Sequence, residues 1–222
     1  MIAKELISET IPNLLTSDTA DKALNWMEIF KISHLPIVNN KELLGIISEA
    51  DILDLNEPNE AIGNHNISLT NIFVYENEHI YNIINIFSDN KLTVLPVVNA
   101  NNEYIGAILL QDLFFALKEI ISIDDIGGII VLQFVNFNDI SLTEIANIVE
   151  QEGFRILSVY TRHLLKDNKI ELVLKINSQD ITAVIKSLER FNYNIKATYS
   201  LINKDDDLLD DRYNELLYFL NI

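Results

Sequence analysis

The sequence predicts a mixed α/β (α+β) chain: two copies of one small unit packed as a pair, then a separate βαββαβ domain. Three observations predict it. A pattern of about 60 residues occurs twice in the first half. Each copy alternates helical and continuous apolar stretches. After a Gly-Gly break at 127–128 the pattern changes to alternating strands around two amphipathic helices.

The repeat is read from its punctuation. HLPIV (34–38) returns as VLPVV (94–98), with Pro36 and Pro96 60 positions apart. GIISEADIL (45–53) returns as GAILLQDLF (106–114), with Asp51 and Asp112 offset by 61. The extra position falls in the loop between the strands. Each copy opens with a helix whose apolar residues have helical spacing: Ala20, Ala23, Leu24 and Met27, then Ile80, Ile83, Ile84 and Phe87. Two apolar strands joined by a short polar turn follow, which predicts a hairpin. A last helix starts near Ser48 or Leu110. The polar stretch 54–71, with Pro58 and Gly63, reads as a connector, and 122–128 as the second break.

Beyond the break, IIVLQFV (129–135) is a strand. SLTEIANIVEQEG (141–153) is a helix with Leu142, Ile145, Ile148 and Val149 on one face, closed by Gly153. FRILSVYTRH and KIELVLKI are strands, ITAVIKSLERFN a helix and YNIKATYSLI a last strand. This order is ferredoxin-like. The expected boundaries are 1–60 and 61–124 for the two repeats, 128–202 for the third domain, and 203–222 for an acidic segment with a helix. Leu216, Leu217, Phe219 and Leu220 of that helix require a surface to bury against.

Composition narrows the function. Among 222 residues 49% are apolar and none is cysteine, which excludes disulfides, cysteine nucleophiles and thiolate metal sites. The start of the chain has no signal-peptide pattern and no apolar run reaches the roughly 20 residues of a membrane span, so a cytoplasmic protein is expected. A net charge of −17 repels nucleic acid and anionic lipid, and neither is expected as a partner. A site for an anionic nucleotide must therefore build its own positive potential.

The first half resembles a tandem pair of CBS domains, a Bateman module, on HLPIV, GIISEADIL, VLPVV, GAILLQDLF and the helices before them. The resemblance implies βαββα repeats that pack as a pair, bind adenosine-containing ligands in the cleft between them and often dimerise. The third domain resembles an ACT domain on LTEIANIVEQEGFRILSV. Amino-acid-binding members carry a Gly in the first loop where this chain has Ile140, so this domain is expected mainly to pair with another copy. The order of domains resembles that of AcuB-like CBS–ACT proteins.

In the CBS family a Ser or Thr at the place of Ser48 contacts phosphate, and an Asp three residues on holds the ribose hydroxyls. A carboxylate accepts both protons of a cis-diol, and a hydroxyl adds a donor. Ser48 with Asp51 is also a near-match to a helix capping box. The second copy separates the two. Leu109 replaces Ser48 and cannot cap, yet Asp112 remains, which favours a ribose role for the aspartate. His34 is read either as a phosphate contact or as a half-buried side chain with a backbone partner; Val94 stands there in the second copy. Ile37 and Val38 are candidates for an adenine slot, against core packing. The ligand site is thus expected at His34, Ile37, Val38, Ser48 and Asp51, with a weaker one at Asp112.

No catalytic constellation is visible. His34, His65, His79 and His163 are not at metal-ligand spacing. No phosphate-binding GK[ST] loop or G-x-S-x-G elbow occurs, and Asp205–Asp207 lack a calcium loop's glycine. Asn66-Ile67-Ser68 is a chance glycosylation match, and Trp26 is read as core. The expected protein is a non-enzymatic sensor that needs no cofactor, takes an adenine nucleotide (AMP, ADP, ATP or a related adenosyl ligand) as effector, and works as a homodimer or higher homo-oligomer, with a regulated protein partner possible. The alternative is a scaffold protein with a degenerate, empty cleft, favoured by the lost Ser in repeat two and the absent ACT glycine.

Overall fold

The computed structural model describes residues 1–8, 10–55, 59–65, 69–164 and 167–200. The chain divides into two compact units, Met1–Leu117 and a second beginning at Lys118.

In the first unit, repeat one consists of α1 (Ala20–Phe30), β1 (His34–Asn39), β2 (Glu42–Ser48) and α2 (Glu49–Leu53). Repeat two consists of β3 (Val74–Tyr75), α3 (Ile80–Asn90), β4 (Val94–Val98), β5 (Tyr104–Leu109) and α4 (Leu110–Ile120). Thr19 caps α1 by accepting a hydrogen bond from the Lys22 N–H, and the helix buries Ala20, Ala23 and Met27. In α3 the buried positions are Ile80, Ile83 and Phe87. Leu24 and Trp26 are partly buried against the repeat-one core, as expected of Trp26, and Ile84 against that of repeat two; Lys22 Nζ lies 4.4 Å from the Trp26 ring. Both hairpins are antiparallel and carry a bulge at the same place, opposite Ile37/Val38 and Val97/Val98. Asn40 and Lys41, both at positive φ, make the tight turn of the first.

The segment expected to be a polar connector is more than a spacer. The N–H groups of Ile62 and Gly63 donate to the carbonyls of Asp18 and Thr16 (both 2.8 Å), and Ile62 is buried in the repeat-one core. Thr70 bridges to Ile46 of β2. The start of the chain mirrors this on repeat two. Ala3 and Lys4 donate to the carbonyls of Glu78 and Glu76 (2.8 and 2.9 Å), Ser8 bridges to Ala107 of β5, and Ala3 and Leu6 join the repeat-two core. Each repeat therefore completes its own sheet edge with chain that precedes the other. The cores are exchanged to match: Ile46 packs with repeat two, and Ala107 with repeat one. The local pattern is 60 residues long, but burial of apolar surface makes the pair the stable unit.

Gly45 and Gly106 permit the exchange. Their φ values are +146° and +149°, and a Cβ on either would collide with the incoming segment. It would lie 2.8 Å from Leu69 Cβ at Gly45 and 2.4 Å from Ile7 Cγ2 at Gly106.

The second unit runs β6 (Gly128–Phe134), α5 (Leu142–Gln151), β7 (Ile156–Leu164), β8 (Lys169–Ile176), α6 (Thr182–Arg190) and β9 (Ile195–Tyr199). The strands form one antiparallel sheet in the order β7-β8-β6-β9, the ferredoxin-like arrangement. Alternate residues of β6 and β8 (Ile130, Leu132, Leu172, Leu174) meet Ile145, Ile148 and Val149 of α5 and Val184 and Leu188 of α6. Leu142, expected on that buried face, is 52% exposed: it stands in the first turn, immediately after the cap Ser141. Gly153 follows α5 at φ +83° and ends it as expected. The acidic segment and its apolar helix, 203–222, lie outside the described residues, as do Asn66-Ile67-Ser68.

Candidate functional site

The β1–β2 register sets His34 directly opposite Ser48. Asp51 follows within the first turn of α2. Three of the predicted residues, separated by up to 17 positions, thus converge at one end of the repeat-one hairpin. The equivalent cross-strand pair in repeat two is Val94–Leu109, so that end is apolar there, with half-buried Asp112 in the first turn of α4.

Ser48 and Asp51 form a complete capping box. The Ser48 Oγ accepts from the Asp51 N–H (3.1 Å), while Asp51 Oδ2 accepts from the Ser48 N–H (3.0 Å) and from its hydroxyl (2.6 Å). The hydroxyl proton of Ser48 is thereby committed to the carboxylate. The bonds from Ser48 both end on Oδ2, which leaves Oδ1 as an acceptor directed by a fixed side chain.

His34 has the backbone partner that one of its two readings required, and it comes from the other repeat. The Thr93 N–H donates to Nδ1 (3.3 Å), and the Thr93 hydroxyl lies 3.1 Å from the same nitrogen. Since a backbone N–H can only donate, Nδ1 is an acceptor and the neutral ring carries its proton on Nε2. Burial pushes the imidazole below its usual pKa; the Asp51 carboxylate opposes this without offsetting it. Near pH 7 the ring is therefore neutral, and Nε2–H is a donor without a full charge.

This linkage predicts a pH dependence. The unfolded chain binds a proton on His34 below about pH 6.5, whereas the folded chain resists it. The stabilising contribution is full above that value and is lost as pH falls toward and through the folded-state pKa. Urea midpoints are expected to fall between pH 7.5 and pH 5.5, and to fall less in His34→Asn, whose Oδ1 can accept from Thr93 without titrating. An equal fall in both proteins refutes the assignment.

Ile37 is fully buried and Val38 is 4% exposed, so both candidates for an adenine slot pack in the interior. An apolar cavity opens nearby instead. It has a volume of about 330 Å³ and lies between the end of α1 and the start of α4, walled by Phe30, Ile32, Leu109 and Phe114, with Lys31 and Thr93 at its edge. Sequence reasoning missed Thr93, Phe30 and Lys31. A signal existed for Thr93: it occupies the repeat position of Ser33, a hydroxyl in both copies, and its Oγ1 accepts from the Ser33 N–H (2.9 Å). Lys31 and Lys91 end α1 and α3 in the left-handed conformation, at φ 55° and 51°, which places both on the repeat without singling one out.

The CBS-domain family model matches residues 3–57 and 66–119. The first half of the chain is a tandem pair of CBS domains. Among curated proteins, the CBS pair is similar to part of inosine-5'-monophosphate dehydrogenase from Methanocaldococcus jannaschii. It is 28% identical over 114 residues, 50% of this chain but only 22% of that enzyme. Among solved structures, a CBS domain pair/ACT domain protein from Thermotoga maritima is 26% identical, with a TM-score of 0.48 over 54% of this chain and 98% of that one. CBSX2, solved in complex with AMP, is 20% identical, with a TM-score of 0.46 over 54% and 97%. These likenesses cover about half of the chain. No helix among the described residues is long and apolar enough to cross a membrane, and no group of three or more His, Asp or Glu there is placed to hold a metal ion.

Proposed function

We propose that this protein is a regulatory sensor that binds an adenine nucleotide between its CBS repeats and answers by a change of shape or partner. The observation that supports it best is the convergence of His34, Ser48 and Asp51 at the hairpin end where Thr93 joins the repeats. In this reading Asp51 Oδ1 accepts from the ribose hydroxyls, and the His34 Nε2–H and Lys31 offer donors to phosphate. The cavity by Thr93 takes the base; its size falls in the usual range for small ligands. Lys31 supplies local positive charge in a chain of net −17. A nucleotide shifts such a pair only through different affinity for two arrangements, and the exchanged strands give it two repeats to move against each other.

The chemistry proposed is binding without catalysis, and an ACT-like role for the second unit belongs to the same reading. So does self-association, which static light scattering checks: monomer mass alone at micromolar chain removes it. Calorimetry with AMP, ADP, ATP, S-adenosylmethionine and cyclic di-AMP tests the central claim. Binding of at least one is expected, and none at millimolar ligand sinks it. The second reading, a scaffold with an empty cleft, draws on one observation. Ser48 and Asp51 cap the helix together and Thr93 holds His34, so these side chains are fixed without a ligand.

A further inference from the structure

Among the described residues, the helices α5 and α6 cover one face of the ferredoxin-like sheet. On the other, alternate residues of its strands line a shallow groove of about 250 Å³, with Ile129, Val131, Val173, Tyr160 and Tyr199 among its apolar lining. At its floor Glu171, 1% exposed, accepts hydrogen bonds from Arg162 (2.5 and 3.0 Å) and from Lys196. These paired charges hold the carboxyl of Glu171 below its usual pKa. Lys169 and Lys175 stand on the same face. Its four cations against one carboxylate leave it at +3, on a chain whose net charge is −17. One end is already covered by the chain itself: Lys175 Nζ donates to the carbonyls of Ser122 and Ile123, and Ser158 donates to that of Ile121. Among the described residues the rows of Tyr160 and Arg162 remain open, and Tyr160 and Tyr199 are 49% and 61% exposed.

We infer that residues 201–222 of the same chain cover this face. Three features of the sequence and fold argue for that occupant. The segment follows β9, an edge strand of this sheet, so it starts at the rim of the groove. It carries Asp205, Asp206, Asp207, Asp210, Asp211 and Glu215 against Lys204 and Arg212, a net −4 that complements the +3. Tyr213, Leu216, Leu217 and Leu220 fall at i, i+3, i+4 and i+7, a single apolar stripe. A helix over 211–221 measures about 16 Å, enough to cross the roughly 14 Å width of four strands. The acidic residues come first in the chain and the apolar stripe after them. The segment thus offers an acidic part to the cations of this face and an apolar part to its tyrosines and aliphatic side chains.

The chain has no cysteine, so placed pairs report proximity cleanly. Tyr160→Cys with Leu217→Cys in the full chain is expected to form an intramolecular disulfide with oxidised glutathione. Its rate should exceed by about tenfold or more that of Leu142→Cys with Leu217→Cys, whose first partner lies on α5, because docking raises the local concentration above that of a loose tether. Adding Leu216→Ser and Leu220→Ser should bring the first pair down to the rate of the second. Intact mass and non-reducing gels separate the outcomes. Equal rates for the two pairs overturn the inference, and so does a rate untouched by the serine substitutions. A disulfide formed mainly between two chains overturns it in favour of a second copy on this face.

Discussion

Gly45→Ala is expected to destabilise the CBS pair by about 2–5 kcal/mol, the sum of backbone strain at φ +146° and overpacking against fixed atoms. The added Cβ would lie 2.8 Å from Leu69 Cβ and 3.0 Å from the Thr70 carbonyl oxygen. Neither can turn aside, because one is anchored to backbone and the other is backbone. Gly106→Ala makes the shorter contact, 2.4 Å, yet is expected to cost less, since the clash is with a methyl of Ile7 that a side-chain rotation can withdraw. Gly153→Ala gives the baseline. With open space around it and φ +83°, it should cost only the conformational penalty of about 1–2 kcal/mol. Urea midpoints of the three variants check the order Gly45, Gly106, Gly153. A Gly45 variant no weaker than the Gly153 variant removes the close approach as its cause. The effect should also be shared: a break at Gly45 disturbs the Thr70–Ile46 bridge and, through Ile46, the core of repeat two.

That coupling marks the limit of what the sequence makes legible. Helices and hairpins were readable because their signals are local: apolar spacing in α1 and α3, Pro36 and Pro96, the alternation of β6 to β9. His34, Ser48 and Asp51 were named together through the resemblance to CBS domains, and the β1–β2 register supplies the physical reason that they meet. The exchange of segments was not readable. Residues 1–8, 59–65 and 69–70 are short and carry no repeat of their own, and what makes them structural is a carbonyl or an apolar surface well outside the local window, from Ile46 for Thr70 to Ala107 for Ser8. Thr93 was hidden for the same reason, since its role depends on how the repeats face each other. Leu142 misled through a genuine periodicity: the stripe extends back to the first residue of the helix, beside its cap Ser141, where the side chain is exposed. Gly45 and Gly106 were visible as punctuation, while their function as gaps for a crossing chain depends on the fold.

The site itself is best decided by separating affinity from stability. Asp51→Ala removes a capping box and should cost about 1 kcal/mol of stability. If Asp51 also holds a ribose, the variant loses a charge-assisted hydrogen bond to ligand as well, worth about 1.5–3 kcal/mol, or roughly 10- to 100-fold in nucleotide affinity. Ser48→Ala makes the needed comparison. It removes the same cap and is expected to lower stability by about the same amount. It leaves the carboxylate in place, so its loss of affinity should be several-fold smaller. Asp112→Ala should have the least effect on binding, because Val94 and Leu109 give its hairpin end no polar partner for a phosphate. Calorimetric affinities set beside melting temperatures for the three variants distinguish the cases. Affinity that falls in proportion to stability in both Ser48→Ala and Asp51→Ala makes the aspartate a cap alone. Equal losses from Asp51→Ala and Asp112→Ala would remove the ranking of the two repeats while leaving nucleotide binding intact. The first outcome is the one the capping geometry makes conceivable, and the free Oδ1 of a carboxylate held by its neighbour is the reason to expect otherwise.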